Sequence, residues 1–333
     1  PTTCAANSRS SSSGAGMSSN ERSGGTVPPG GDRHSFLGGR SRRRGRELGA
    51  LTLAAGAALF AFLVSGAAES PGGRDAARRA GPEKTAPGED PCKSFTCDEG
   101  GIVRGALDSR RLSLVFTGGP FGDGGEHIRA VLKKLSVRAG FFFTGDFYRT
   151  PEFQGLIRGL AADGHYLGPH SDKHLLYCDW SDRGKTLITR EEFRNDLLWN
   201  YREMEKFGLS LEASPYFIPP YEWYNSEIAG WAREMGLVLI NFTPGTSSNA
   251  DYTTPSMKGY LSAEAIYRRI LDYERKDPHG LNGFILLIHI GTDPERKDKL
   301  YMRLEGLIRE LERRGYSFVR VDELLGREER RKD

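Results

Sequence analysis

The sequence predicts an α/β fold in which parallel strands roll into a barrel, and three observations carry that prediction. Short, nearly continuous apolar runs recur from Leu112 to Val321, as expected of strands covered on both faces. Each run is followed by a segment of helical periodicity after a short connection, which is the pattern of repeated βα units. The runs also end in polar residues, and a barrel is the arrangement that gathers such ends on one face.

Taken in order, "LSLVF" (Leu112–Phe116) reads as the first strand and Glu126–Leu135 as its helix. "GFFFTG", from Gly140, is a second strand before a helix from Pro151 to Ala162. "HYLG", from His165, is a short third strand. Thr189 and Glu192 form a capping-box pattern that opens a helix running to Phe207. "YFI" precedes a helix over Ser226–Met235, and "LVLIN" precedes a long loop and a helix over Ser262–Glu274. "FILLIHI" precedes Leu300–Arg314, and "YSFVRV" closes the series.

The chain has 333 residues and a net charge of +3, too small to argue for nucleic acid. Its basic runs, "RSRRRGR" from Arg40 and the C-terminal "REERRKD", read as solvated tails. Residues 1–46 are rich in Ser, Gly and Arg and bury too little apolar surface to fold. From Leu48 to Ala68 no residue is charged, enough for a helix to cross a bilayer core of roughly 30 Å. The segment 47–68 therefore reads as a signal peptide or an uncleaved membrane anchor. The Arg cluster before it places residues 69–333 outside the cytoplasm, in the periplasm, at the cell surface or secreted. Residues 69–100 read as a linker, and the folded domain as 101–328. Cys92 and Cys97 suit a disulfide in an oxidising compartment better than a zinc site, whereas Cys178 reads as a lone thiol.

Four stretches in the folded part carry chemistry. In "LGPHSDKH", His170 and His174 are four apart, so that on one helical turn both imidazoles would point the same way and grip one metal ion. In "FILLIHIGTD", His289 ends a buried strand. In "YFIPPYEWYN", a double proline ending at Pro220 presents Tyr221 and Trp223 as an aromatic wall, with Trp180 as a further member. In "GTSSNADYTTP", Asp251 is the one acid of a long polar loop.

In this order the four stretches resemble the polysaccharide deacetylase (NodB homology) family, over about Leu112 to Leu325. The H-S/T-x-x-H motif matches His170, Ser171 and His174. R-P-P-Y is matched by "IPPY", D-W by Asp251-Tyr252, and L-x-H by Leu287 and His289. The resemblance implies a distorted (β/α) barrel that uses a divalent metal, here zinc, to remove acetyl groups from an acetylated polysaccharide. It implies that His170 and His174 hold the metal. His289, oriented by Asp251, would protonate the leaving group. Pro220, Tyr221, Trp223 and Leu287 would line the substrate site.

The first motif departs from this pattern. T-F-D-D-G-P aligns with "VFTGGP", so the base Asp falls on Thr117 and the metal-binding Asp on Gly118, while the family's Arg falls on Ile218. Losing Asp and Arg together is coherent, because an Arg left alone in a pocket would be an unpaired buried charge costing several kcal/mol. Since hydrolytic zinc usually needs a third protein ligand, the expectation is that Asp146, at a strand end, or Asp123, between two glycines, reaches into space freed at Gly118. Either would complete the metal site and take the water's proton. Glu126 suits the start of its helix better. The competing expectation is a glycan-binding relic without turnover.

Overall fold

The computed structural model describes residues 91–326. The tail, the apolar segment 47–68 and most of the expected linker lie outside the described residues, as does the C-terminal basic run. No helix among the described residues is long and apolar enough to cross a membrane.

The chain opens with an antiparallel pair, β1 (Thr96–Asp98) and β2 (Gly101–Arg104). Order thus begins before residue 101, inside what reads as linker. The sulfurs of Cys92 and Cys97 lie side by side there, with Cα atoms 5.5 Å apart. Then follow β3 (Arg111–Gly118), α1 (Gly125–Lys134), β4 (Gly140–Phe143), α2 (Gly145–Arg149), α3 (Gln154–Ala162), β5 (Tyr166–Pro169) and α4 (Arg190–Glu205). The second half contains β6 (Tyr216–Phe217), α5 (Ser226–Glu234), β7 (Val238–Leu239), α6 (Ala263–Lys276), β8 (Phe284–His289), α7 (Leu304–Arg313), β9 (Ser317–Phe318) and α8 (Val321–Leu325).

The main sheet runs β1-β2-β8-β3-β4-β5, with β9 also on β3, and β6 and β7 pair separately. Two narrow contacts bring these sheets edge to edge. The Ile218 N–H donates to the Pro169 carbonyl (3.4 Å), and Asn241 N–H donates to the Ile102 carbonyl (2.8 Å). The ring of strands closes on those contacts, so the expected distorted barrel is the architecture found.

Strand alternation divides the core into two layers. On β3, Leu112, Leu114 and Phe116 face the helices, while Val115 belongs to the inner layer with Phe142, Ile218, Ile240, Ile285 and Leu287. Period-2 alternation then puts Thr117 on the inner face of β3 and His289 on the inner face of β8, where the two are register partners. The helices cover the outer layer with faces at i, i+3, i+4 and i+7, as in α7 with Leu304, Leu307, Ile308 and Leu311. Phe141, Phe143, Phe147 and Phe153 form a chain of contacting rings between β4 and its helices.

Two local assignments differ from the sequence expectation. Asp146 does not end a strand; Thr144 accepts the Phe147 N–H and caps a short helix that holds Asp146 in its first turn. His170 and His174 share no helical turn either. The chain between them is a loop with Ser171 and His174 at positive φ (74° and 54°).

Candidate active site

At the C-terminal mouth of the barrel, β5 delivers His170, and the loop beyond it folds His174 back so that the two rings lie 5.0 Å apart. Asn200, from α4, accepts the His170 backbone N–H (2.9 Å) and ties this loop to the helix layer. His170 Nδ1 donates to the Ile218 carbonyl (2.9 Å), which fixes the tautomer and leaves the Nε2 lone pair free. Burial pushes both imidazoles down, His170 well below its ordinary value and His174 to about 4. Both are therefore neutral near pH 7, the form in which histidine binds metal. His174 also packs on Tyr221, with ring centroids 4.2 Å apart.

His289 stands across the mouth on β8. Its Nδ1 pairs with Asp251 Oδ1 at 2.6 Å, and its backbone N–H donates to Asp251 Oδ2 at 3.0 Å. One buried carboxylate thus fixes both ring and backbone. Burial would depress the His289 imidazole, but the charge and hydrogen bond of Asp251, with a contribution from Glu222, hold it above its ordinary value. Leu287, two residues below, is fully buried in the inner layer, so it shapes the floor and does not line the surface.

The turn after β6 completes the rim. Pro220 is buried, and the next two residues, Tyr221 (φ 59°) and Glu222 (φ 53°), take left-handed backbone without being glycine. Each such residue costs about 1–2 kcal/mol, and backbone strain of this kind clusters at functional sites. Asn241 Nδ2 holds the turn by donating to the Glu222 carbonyl (2.8 Å). Trp223 stacks on Trp180 (5.7 Å) and under the Arg183 guanidinium (4.7 Å), while its Nε1 donates to the Asp179 carbonyl. It braces the rim. Tyr221 and Tyr252 are the exposed rings, and Tyr252 lies 5.4 Å from His289.

Neither carboxylate expected to complete a metal site joins the histidines. Asp146 is exposed and bound to Arg149 (2.5 Å) and Lys173 (2.6 Å), which hold its carboxyl below the usual range against the effect of burial. Asp123 accepts from the Thr292 N–H (2.9 Å) and the Tyr301 hydroxyl (2.6 Å), with Lys299 at 3.2 Å. It staples the first loop to the loop after β8. Gly118 frees no space either, because a Cβ there would meet Ile290 and the Phe143 ring at 2.8 Å each. Ile218 is fully buried where the family's Arg would stand, and the buried Thr117 Oγ1 has no hydrogen-bond partner. Among the described residues, no group of three His, Cys, Asp or Glu side chains could hold a metal. Two nitrogen donors are present, and a three-ligand zinc centre is not.

Sequence reasoning missed Glu222. It lies between Tyr221 and Trp223, and a charged side chain inside an otherwise aromatic turn was the available signal. Its half-buried carboxylate is pushed up to about 7 by burial and by Asp251, with His289 opposing.

Residues 104–240 match the polysaccharide deacetylase family model. Over that stretch the chain is similar to polysaccharide deacetylases. That match ends before Asp251 and His289, so it covers one side of the mouth. A peptidoglycan-N-acetylglucosamine deacetylase of Bacillus cereus is 24% identical over 64% of this chain and 87% of its own length. The peptidoglycan-N-acetylglucosamine deacetylase PgdA of Listeria monocytogenes is also 24% identical, over 66% of this chain but only 40% of its own length. A carbohydrate esterase family 4 pseudoenzyme from Bacillus anthracis has a similar fold, with a TM-score of 0.53 at 20% identity over 69% of this chain and 70% of that one. Deacetylases of this family generally depend on a divalent metal.

Proposed function

We propose that this protein is an exported hydrolase of the polysaccharide deacetylase type, which binds an acetylated polysaccharide of the peptidoglycan class across the barrel mouth and removes acetyl groups slowly. One observation carries the reading. A histidine fixed by a buried aspartate through two hydrogen bonds stands in the mouth beside an exposed tyrosine. A surface that only bound glycan would have no use for an imidazole oriented in this way. The His289 pKa lies above its ordinary value, so near neutral pH the ring can carry the proton that a departing amine or alkoxide needs. Tyr221 and Tyr252 offer faces for sugar rings.

A bound divalent metal polarises an acetyl carbonyl in chemistry of this kind. The His170–His174 pair offers zinc two nitrogens and no third protein ligand, so the steps assigned here belong to side chains alone. The uncharged segment Leu48–Ala68 supports export, and the adjacent Cys92 and Cys97 sulfurs support a disulfide formed outside the cytoplasm.

A binding-only reading has its own support in the filled wall at Gly118 and the partnerless Thr117 hydroxyl. The test separates the two. Purified protein is incubated with peptidoglycan, N-acetyl chitohexaose and O-acetylated xylo-oligosaccharide. Acetate release is measured, with binding followed by tryptophan fluorescence. We expect slow acetate release that falls about 10²-fold or more in His289→Ala. Binding without acetate release would replace the hydrolase with the binder.

A further inference from the structure

The mouth contains an acid but, at the first motif, no base. Thr117 supplies a buried hydroxyl, Gly118 is closed, and Asp123 and Asp146 are committed to other partners. One carboxylate at the mouth remains. Glu222 is carried on the strained turn between the exposed Tyr221 and the braced Trp223, and Asn241 holds its backbone. No hydrogen bond or ion pair to its carboxylate occurs among the described residues, although the group is half-buried. A carboxylate kept from full solvation without a partner costs stability, and such an arrangement persists where it serves a reaction. The charges that act on it come from the other elements at the mouth: His289 on β8, and Asp251 on the short helix after β7, which also carries Tyr252. Arg296, from the loop after β8, acts on His289 but is committed to the Thr253 and Leu261 carbonyls.

We propose that Glu222 is the proton acceptor of this site, standing in for the carboxylate absent at Thr117. The inference rests on the hydrolytic reading above. In the step it implies, water attacks the acetyl carbonyl carbon and a C–O bond forms as Glu222 takes a proton from the water. The bond from that carbon to the sugar nitrogen or oxygen then breaks, and its electron pair leaves with the sugar atom, which takes the proton of His289. The products are acetic acid and a free amine or hydroxyl. Transfer of the proton from Glu222 to His289 through solvent restores the starting state.

Burial places Glu222 near 7, so the acceptor is half-ionised at neutral pH and activity should rise as pH increases through about 7. The test compares wild type with Glu222→Gln on O-acetylated xylo-oligosaccharide and on peptidoglycan between pH 5 and 9. We expect Glu222→Gln to lower acetate release by about 10²- to 10⁴-fold. The rise through pH 7 should disappear, while binding, followed by the fluorescence of Trp180 and Trp223, is retained. Glu222→Asp should recover part of the rate.

Stability supplies a second readout that needs no turnover. A carboxylate whose folded pKa is raised contributes stability that is complete below its unfolded value of 4.5 and is lost as pH rises through about 7. Glu222→Gln should therefore melt higher than wild type at pH 8 and no higher at pH 4. An active wild type whose Glu222→Gln variant keeps its rate and pH profile overturns the assignment and leaves the hydrolytic reading standing. A wild type that binds glycan and releases no acetate overturns both. Equal melting at pH 8 removes the buried carboxylate on which the inference depends.

Discussion

Gly118 and Gly119 are neighbours in sequence and opposites in surroundings. A side chain at Gly118 would enter the wall of Ile290 and Phe143, whereas a Cβ at Gly119 would meet only the Thr144 methyl, at 3.8 Å. The registers of β3 with β4 and of β4 with β5 end on the row Gly118, Phe143 and Pro169, and Gly119, Thr144 and His170 are the residues that follow it at the mouth. Restoring a carboxylate at Gly118 therefore buries a charge in an apolar layer, and restoring one at Gly119 places it in open space near the histidines. We expect Gly118→Asp to lose at least about 3 kcal/mol through overpacking and an unpaired charge. At about 2–4 °C per kcal/mol for a domain of this size, its melting temperature should fall by about 6 °C or more. Gly119→Asp should melt within about 2 °C of wild type and, unlike wild type, gain stability from added zinc, a gain that His170→Ala abolishes. A Gly118→Asp variant as stable as wild type would contradict the wall described at that position.

At the scale of elements, α4 joins fold stability to the site. The Thr189 hydroxyl accepts the Glu192 N–H (3.2 Å), and the Glu192 carboxylate accepts the Thr189 N–H (2.7 Å), so two N–H groups at the helix start are satisfied reciprocally. Farther along, Asn200 on the same helix holds His170 by its backbone. Thr189→Ala removes one half of the box. It should cost about 1 kcal/mol, or roughly 2–4 °C in a thermal melt, without lowering acetate release at 25 °C. The cap makes none of the contacts that hold the histidine loop, which come from Asp196 and Asn200 farther along the helix. A melting temperature unchanged within error would show that the cap contributes nothing.

For the whole molecule, the barrel closes at two joins, each a backbone hydrogen bond backed by one side chain: the Tyr166 hydroxyl on the Tyr216 backbone at one, the Thr243 hydroxyl between Val103 and Ile285 at the other. The joins at Ile218–Pro169 and Asn241–Ile102 flank the two-stranded β6–β7 sheet. Ile218 sits at one of them, seals the inner layer with an apolar side chain and gives its carbonyl to His170, so barrel closure and histidine placement are one event. The reading that this domain works outside the cytoplasm belongs at the same scale. A phosphatase reporter fused after Asp333 should be active only beyond the membrane, and non-reducing mass spectrometry should find Cys92 joined to Cys97. Reporter activity confined to the cytoplasm would overturn the topology, and two free thiols in envelope protein would overturn the bridge.

The sequence alone determined the order of strands and helices, the barrel and the pairing of His289 with Asp251, because these follow from local periodicity and ordered motifs. Helix ends marked by Thr189 and Ser262 were legible for the same reason: a cap is a local hydrogen bond. Side-chain destinations were not legible. Asp123 follows the first motif closely and Asp146 follows the neighbouring strand β4, but besides the local Arg149 the groups that claim them are Lys173, Thr292, Lys299 and Tyr301, whose positions only the fold sets. The space at Gly118 was equally undecidable, since Ile290 and Phe143 arrive there from two other stretches of chain. Glu222 became a candidate only when the tertiary structure brought it within the electrostatic reach of the His289–Asp251 pair. The environment of a carboxylate is a sum over groups distant in sequence, and the chain must close into its barrel before that sum exists.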